Sequence, residues 1–385
     1  MLTEPEIQKI RSRFPIFSRK IYLNSCSQGA LSDAVEAGIE EYLHTWHDAG
    51  SPWDIWVQKY EAVREEFARF IAAQPNEVAI VPSASAGINA IASALDFTAR
   101  RKIVLGEFEF PTMGHVWLAQ RSRGAVVEFI PSNGEEIAAS SYARAVDKQT
   151  AIVPVTHVCF KNGFRSDVKE VGHIAHAQGA FVFLDDYQDC GTRPINVKSL
   201  GVDFYVSGTL KYLLAAPGLA FLYVRQDLIS SLTPTISGWF AQSNPFAFDT
   251  QHLDLATSAR RFESGTPPIP NLYAASAGIA LLQEIGLENA EGQIRLLTQS
   301  LIRGARELGI DIKSPLTSVG PLVVLRSRNV EAVLARLAER NIVASGRHDG
   351  LRLSFHVHNT LDDVQEVLGA LRSCLDLMVR ERQPA

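Results

Sequence analysis

Residues 181–218 decide the fold and read FVFLDDYQDCGTRPINVKSLGVDFYVSGTLKYLLAAPG. Two short apolar runs, 181–184 and 204–206, each end in polar residues. Apolar runs of this length with little alternation are typical of strands that are buried on both faces. Similar runs alternate with helical patterns elsewhere in the chain, at 78–81, 103–105, 126–130, 151–155 and 219–224. Repeated strand-then-helix units predict an α/β fold with a mostly parallel, seven-stranded sheet flanked by helices.

The pattern changes after about residue 285, where helices and strands mix in a shorter unit. It predicts helices at 290–308, 330–339 and 361–376 and strands at 321–326, 342–345 and 351–355. We therefore expect three parts: an N-terminal arm (1–20) that joins the small domain, a large domain (21–285) and a small C-terminal α+β domain (286–385). Residues 228–258 are rich in polar residues and proline and predict an irregular excursion.

Composition excludes several classes of function. The 385 residues carry a net charge of -5, so no basic excess favours nucleic acid. No apolar run reaches the roughly 18 residues of a membrane span, and the charged N-terminus does not resemble a secretory signal. The four cysteines are scattered, which predicts neither a metal site nor a disulfide framework. We expect a cytoplasmic protein.

Two charged residues stand at strand ends where water should be scarce. Asp185 ends an apolar run, where an unpaired carboxylate is costly and needs a cationic partner. Lys211 has apolar neighbours, and burial lowers the pKa of such a lysine and makes its amine nucleophilic toward a carbonyl. Lysines at strand ends more often extend to solvent, and the acid could instead cap a helix. Of the two adjacent acids, we expect Asp186 to point outward.

The segment 83–87, Ser-Ala-Ser-Ala-Gly, follows another predicted strand and precedes a helical pattern. A helix N-terminus offers free backbone N–H groups and a positive dipole end, and both favour a phosphate. Ordinary capping of the helix by Ser85 explains the same residues equally well. Because the carboxyl ends of parallel strands share one edge of a sheet, this segment should lie near Asp185 and Lys211.

Together these segments resemble the class V aminotransferase family of fold-type I pyridoxal-5′-phosphate (PLP) enzymes, which includes cysteine desulfurases, kynureninases and isopenicillin-epimerase-like proteins. The resemblance covers roughly residues 20–370. It rests on segments at 81–89, 109–112, 156–163, 185–188, 211–218, 261–267 and 352–360. The match at 261–267, Arg-Phe-Glu-Ser-Gly-Thr-Pro, is the most specific of these.

The resemblance implies how the chain would hold PLP. Lys211 would carry the cofactor as a Schiff base, and Asp185 would keep the pyridine nitrogen protonated. Gln188 would meet the ring hydroxyl, and Phe110 would stack on the ring. The phosphate would lie on the segment that contains Ala84 and Ser85.

Other expected contacts involve the phosphate, the substrate and a second subunit. Leu210 stands where relatives carry a phosphate-binding His or Tyr, so Ser207 or Thr209 would replace that contact. Thr266 would reach the phosphate of the other subunit, which implies a homodimer. Arg352 would grip the substrate α-carboxylate, since its planar fork suits that group. Asn24 belongs to a segment, 24–29, that should approach the substrate.

The resemblance implies an enzyme that acts at the α-carbon of an amino acid through a Schiff base at Lys211. Residues 341–350 lack the long cysteine-bearing loop of desulfurases, which argues against a persulfide mechanism there. We favour β-elimination of the C–S lyase type, then transamination, then kynureninase-like hydrolysis or epimerisation. A non-catalytic PLP-binding protein is the contrasting class, and the intact Lys211, Asp185 and Arg352 argue against it.

Overall fold

The computed structural model describes residues 2–381. Residue 1 and residues 382–385, at the outer ends of the predicted arm and small domain, lie outside this part. The strands are β1 Ile21–Tyr22, β2 Val78–Val81, β3 Lys102–Gly106, β4 Val126–Ile130, β5 Thr150–Thr156, β6 Phe181–Asp185, β7 Phe204–Gly208, β8 Ala220–Val224, β9 Leu322–Arg326, β10 Ile342–Val343, β11 Ser345–Arg347 and β12 Gly350–Ser354. The α-helices are α1 Glu4–Arg11, α2 Asp33–Ala49, α3 Trp53–Phe70, α4 Ala84–Ala94, α5 Pro111–Ala119, α6 Ala139–Ala145, α7 Val168–Ala177, α8 Val197–Leu200, α9 Gln226–Ile229, α10 Ile269–Ile285, α11 Leu287–Glu307, α12 Val330–Glu339 and α13 Leu361–Arg372.

The central sheet has seven strands in the order β2-β8-β7-β6-β5-β3-β4. β8 runs antiparallel to both of its neighbours, and the remaining pairs are parallel. The predicted α/β class with a mostly parallel seven-stranded sheet is therefore confirmed. Apolar clusters cover the two faces of the sheet, which explains the near-continuous apolar runs of its strands. β4 differs from this expectation, because it lies at the sheet edge and most of its residues are not buried.

The C-terminal part forms a separate three-stranded antiparallel sheet, β11-β12-β9. Side chains from α11, α12 and α13 pack with these strands in one apolar cluster, which also takes in Leu23. The predicted strand at 342–345 is split into β10 and β11. The chain changes partner at Ala344, so β10 pairs with β1 while β11 pairs with β12. The last helix ends at Arg372, earlier than predicted.

The N-terminal residues contact both parts of the chain. Arg11 forms an ion pair with Asp363 on α13, while Phe14 belongs to the large apolar cluster around the central sheet. Residues 228–258 are irregular apart from α9 and short 3-10 turns, as predicted. Within residues 2–381, no helix combines the length and the apolar character that crossing a membrane requires.

Candidate active site

Lys211 lies in a tight loop that joins β7 to β8. The Leu214 N–H donates to the Lys211 carbonyl at 3.2 Å, and the Gly29 N–H donates to the Leu210 carbonyl at 2.7 Å. Leu214 has a φ of 58°, a left-handed conformation that costs energy for a residue with a Cβ and that the surrounding structure must hold. A Cβ at Gly29 would overlap the Lys211 carbonyl oxygen. The loop is therefore fixed from both sides.

The side chain of Lys211 is half-buried, and its amine faces a cavity of about 360 Å³. Its Nζ lies 5.6 Å from the centre of the Phe110 ring and 4.4 Å from that of the Tyr187 ring. Burial lowers the pKa of Lys211 to about 8, while Asp185 acts in the opposite direction. A substantial fraction of the amine is thus neutral near physiological pH, as nucleophilic attack on a carbonyl requires.

Asp185 and Gln188 follow β6 and line the same cavity. One Asp185 oxygen accepts the Tyr187 N–H at 3.0 Å, and burial raises the pKa of this carboxyl. The Gln188 amide donates to the Cys26 carbonyl at 3.0 Å, but its buried Oε1 has no partner among the described residues. Both groups therefore fit a polar ligand in the cavity, a cation for Asp185 and a hydrogen-bond donor for Gln188.

The N-terminus of α4 opens into the cavity. Ser83 caps the helix and accepts the Ala86 N–H at 3.1 Å. The first-turn N–H groups at Ala84 and Ser85 have no carbonyl to bond within the helix, and so they remain available to an anion. The Ser85 hydroxyl lies 3.1 Å from that of Thr112 on α5. The N-terminus of α4 thus lies at the cavity that Lys211 and Asp185 also line.

Arg352 enters the cavity from β12 of the C-terminal sheet, and only 2% of its surface is exposed. Its guanidinium donates to the Phe160 carbonyl at 3.1 Å and to the hydroxyls of Ser27 and Ser345 at 2.8 and 2.9 Å. The Nε has no partner among residues 2–381, and none of the partners is an acid. A buried cation without a carboxylate is costly and favours an anionic ligand.

Three predicted contacts are not brought to the cavity. The Thr209 hydroxyl donates to the carbonyls of Ala216 and Leu219 at 2.6 and 3.1 Å and so fastens the Lys211 loop. Ser207 is buried outside the cavity lining. The main chain of Asn24 forms an isolated β-bridge with Ser354. Cys26 and Ser27, from the same segment, line the cavity instead of Asn24.

The expectation for Asp186 is wrong. It is fully buried and accepts hydrogen bonds from the Tyr205 hydroxyl at 2.8 Å and from the His157 ring at 2.6 Å. Asp189 lies beside them and pairs with Arg165 at 2.7 Å, among other partners. This cluster of His157, Asp186 and Asp189 is already occupied by ion pairs and hydrogen bonds, and it lies behind the cavity lining.

The segment 261–267 is held by its charged residues, whose roles are structural. Arg261 donates to three main-chain carbonyls, including that of Ala256 at 2.9 Å. Glu263 is buried, pairs with Arg64 at 2.5 Å and accepts the Ile80 N–H at 2.8 Å. Thr266, three residues beyond Glu263, is exposed in the single chain.

Tyr187 is a cavity residue that the sequence reasoning missed. Its ring lies against Gly208, the last residue of β7, so closely that a Cβ there would overlap Cε2, Cζ and the hydroxyl oxygen. The tyrosine and the glycine therefore depend on each other. The available signal was a bulky aromatic residue two positions after Asp185, together with a glycine three positions before Lys211.

Comparison with known proteins shows which family the sequence of this chain matches. The sequence profile of Aminotransferase class-V matches residues 39–367. The chain is 33% identical over 362 residues to the Bacillus subtilis "uncharacterized aminotransferase YcbU", covering 94% of this chain and 96% of that one. It is 27% identical to a Deinococcus radiodurans kynureninase, covering 95% and 92% of the two chains.

The solved structures agree with these sequence matches. The apo structure of a cysteine desulfurase from Thermococcus onnurineus superposes with a TM-score of 0.89 at 25% identity, covering 98% of this chain and 99% of that one. The predicted fold-type I architecture is confirmed. The chain belongs to the class V aminotransferase family of PLP-dependent enzymes.

Proposed function

We propose that the chain binds an amino acid by its carboxylate at Arg352 and removes a substituent from the β-carbon, as a C–S lyase does. The observation that carries the proposal is that two functional groups line the same cavity. These are a buried arginine without a carboxylate partner and the Lys211 amine, whose pKa burial lowers to about 8. Transamination is the second candidate, followed by kynureninase-like hydrolysis and epimerisation.

The cavity residues fit PLP. Lys211 would hold its carbonyl carbon, Asp185 its pyridine nitrogen and Gln188 its ring hydroxyl, and the N-terminus of α4 would hold its phosphate. The orphaned Gln188 Oε1 and the buried Asp185 carboxyl support this assignment. When bound, the cofactor supplies an electron sink for the bonds at the substrate α-carbon.

Each residue around the substrate would then have a separate role in the reaction. Arg352 would fix the carboxylate, and Phe110, whose ring centre lies 5.6 Å from the Lys211 Nζ, would lie against the cofactor ring. The Lys211 amine takes the proton from Cα as a general base. The Cβ–S bond breaks and the sulfur leaves with the electron pair. The released enamine hydrolyses in water, so that a cysteine-type substrate gives a sulfur-containing product, pyruvate and ammonia.

Cysteine placement supports a lyase without a persulfide on the protein. All four cysteines lie in the described part of the chain, and Cys26 alone lines the cavity. It sits beside Ser345, with 3.8 Å between the sulfur and the hydroxyl oxygen, and residues 341–351 contain no cysteine. The Cys26→Ser variant therefore separates the two mechanisms, because a desulfurase that used this thiol would lose its activity.

The experiment supplies the PLP-loaded protein with a panel of amino acids that carry a β-substituent and measures pyruvate and ammonia. The proposal predicts equal amounts of both without an α-keto acid acceptor, and full activity in Cys26→Ser. Turnover that requires an acceptor and releases no ammonia would establish transamination instead. Loss of activity in Cys26→Ser would favour a persulfide mechanism.

The proposal includes a homodimer in which Thr266 reaches the phosphate in the partner subunit's site. Its exposure in the single chain supports this role. Mixing Lys211→Ala and Thr266→Ala chains tests it, because a mixed dimer would contain one site with both residues intact. Regained activity is expected on mixing. Activity that stays at the level of the separate variants would refute the shared site.

We also propose the domain division at 20/21 and 285/286 and a cytoplasmic location. The separate apolar cluster of the C-terminal sheet supports the second boundary. Arg11 and Phe14 contact opposite parts of the chain and make the N-terminal arm a bridge. The four free cysteines support a reducing compartment.

A further inference from the structure

A second arginine, Arg347, lines the cavity beside Arg352. It ends β11, two residues after Ser345, and Ser345 stands directly opposite Arg352 on β12. Alternate residues of a strand share a face, and residues directly opposite each other in an antiparallel pair also share one. Ser345, Arg347 and Arg352 therefore project from the same side of the small sheet, toward Lys211.

The cationic side chains of this cavity outnumber its acids. Lys211, Arg347 and Arg352 line it, and Asp185 is the one acid in the lining within residues 2–381. The Arg347 side chain donates to the carbonyl of its own neighbour Gly346 at 2.8 Å, and no carboxylate of the described chain accepts from it. Burial and then the charge of Arg352 lower the pKa of Arg347. Two guanidinium groups that face one cavity favour two anionic groups between them.

The substrate α-carboxylate and the phosphate, to which sites are already assigned, leave Arg347 without an anionic partner. The α-carboxylate of an amino acid would occupy Arg352, whose hydroxyl partners Ser27 and Ser345 hold it in place. The phosphate end of the cavity lies on α4, whereas Arg347 belongs to the C-terminal sheet. In the antiparallel ladder, diagonal neighbours stand about 7–8 Å apart. A single small molecule with two anionic groups can therefore contact both arginines.

We propose that Arg347 binds a second oxyanion, a carboxylate or sulfinate in the substrate side chain, and so makes the enzyme selective for acidic amino acids. This inference rests on the proposed function, since it concerns the substrate of the same site. Because Arg347 is exposed to solvent, which weakens an ion pair, we expect a preference of only about 10-fold for an acidic substrate over its uncharged isostere.

The test titrates the PLP-loaded protein with matched pairs, aspartate against asparagine and glutamate against glutamine, and with cysteine sulfinate. The change in visible absorbance gives the Kd of each. Wild type should bind the better acid about 10-fold more tightly than its amide, and the preferred acid indicates the length of the side chain. Arg347→Met should lose this preference while binding the amides within about twofold of wild type. Arg347→Lys should keep part of it.

The control is Arg121→Met, which makes the same change in net charge at an exposed residue outside the cavity. It should keep the wild-type preference. Equal Kd values for acid and amide in wild type, or a preference that survives in Arg347→Met, would overturn the inference and leave the proposed function standing. If no amino acid of any charge altered the spectrum or gave a product, the proposed function would fail and the inference with it.

Discussion

The close contact between Tyr187 and Gly208 gives a prediction that depends on packing alone. In Gly208→Ala, the added methyl group would overlap the Tyr187 ring. To restore ordinary contacts of about 3.5–4 Å, the ring would have to move by roughly 2 Å. The backbone at Gly208 is paired with Ala220 in the centre of the sheet and cannot yield. Such overpacking costs about 1–3 kcal/mol of unfolding free energy.

The movement should also disturb Lys211, because its amine lies 4.4 Å from the centre of the same ring. We expect Gly208→Ala to unfold at lower denaturant concentration and to bind PLP less tightly than wild type. Tyr187→Ala removes the obstacle, so adding Gly208→Ala to it should cost little. A double-mutant cycle should then show a coupling of about 1 kcal/mol or more.

Denaturant unfolding of the four proteins and PLP titration followed by absorbance provide the readouts. Gly369→Ala on α13 is the matched control, since nothing lies within contact distance of a Cβ there. It should be neutral or slightly stabilising, as for glycine in a helix. The reasoning is refuted if Gly208→Ala is as stable as wild type, or if its cost is the same with and without the Tyr187 ring.

Two further predictions concern protonation. Burial lowers the pKa of Lys211 to about 8, so the rate at which PLP reacts with apoprotein should rise with pH to a midpoint near 8. A midpoint above 10 in stopped-flow absorbance would contradict the buried amine. Burial raises the pKa of the Glu109 carboxyl from 4.5 to about 8. Between pH 4.5 and 8, the folded protein therefore keeps a proton on Glu109 that the unfolded chain has lost. Stability should therefore fall as pH rises from 5 to 8, and Glu109→Gln should lessen this loss by up to several kcal/mol in urea unfolding. An unchanged pH dependence in that variant would count against a buried acidic side chain.

The sequence predicted the parts of the site that depend on strand order. The carboxyl ends of parallel strands meet at one edge, so the order of the strands alone predicts that Asp185 and Lys211 lie close together. Phe110 follows β3 and the N-terminus of α4 follows β2, and both also line the cavity. The short apolar runs marked these strands because burial on both faces leaves little polar alternation.

The features that were not predicted depend on partners distant in the chain. Asp186 is buried because His157, from the end of β5, gives it a hydrogen bond. Thr209 carries a hydroxyl of the kind that can bind a phosphate, but this hydroxyl donates to carbonyls of its own loop. The direction of Tyr187 depends on the absence of a side chain at Gly208. Such contacts are set by tertiary packing, which a single sequence pattern does not contain.

The most direct test of the central claim compares the visible absorption of PLP-treated wild type with that of Lys211→Ala. A borohydride-reduced sample of each should then be digested and analysed by mass spectrometry. The account predicts a cofactor band that Lys211→Ala lacks or shifts, and a reduced cofactor adduct on the peptide that contains Lys211. An adduct on another lysine, or wild type that takes up no PLP, would contradict it.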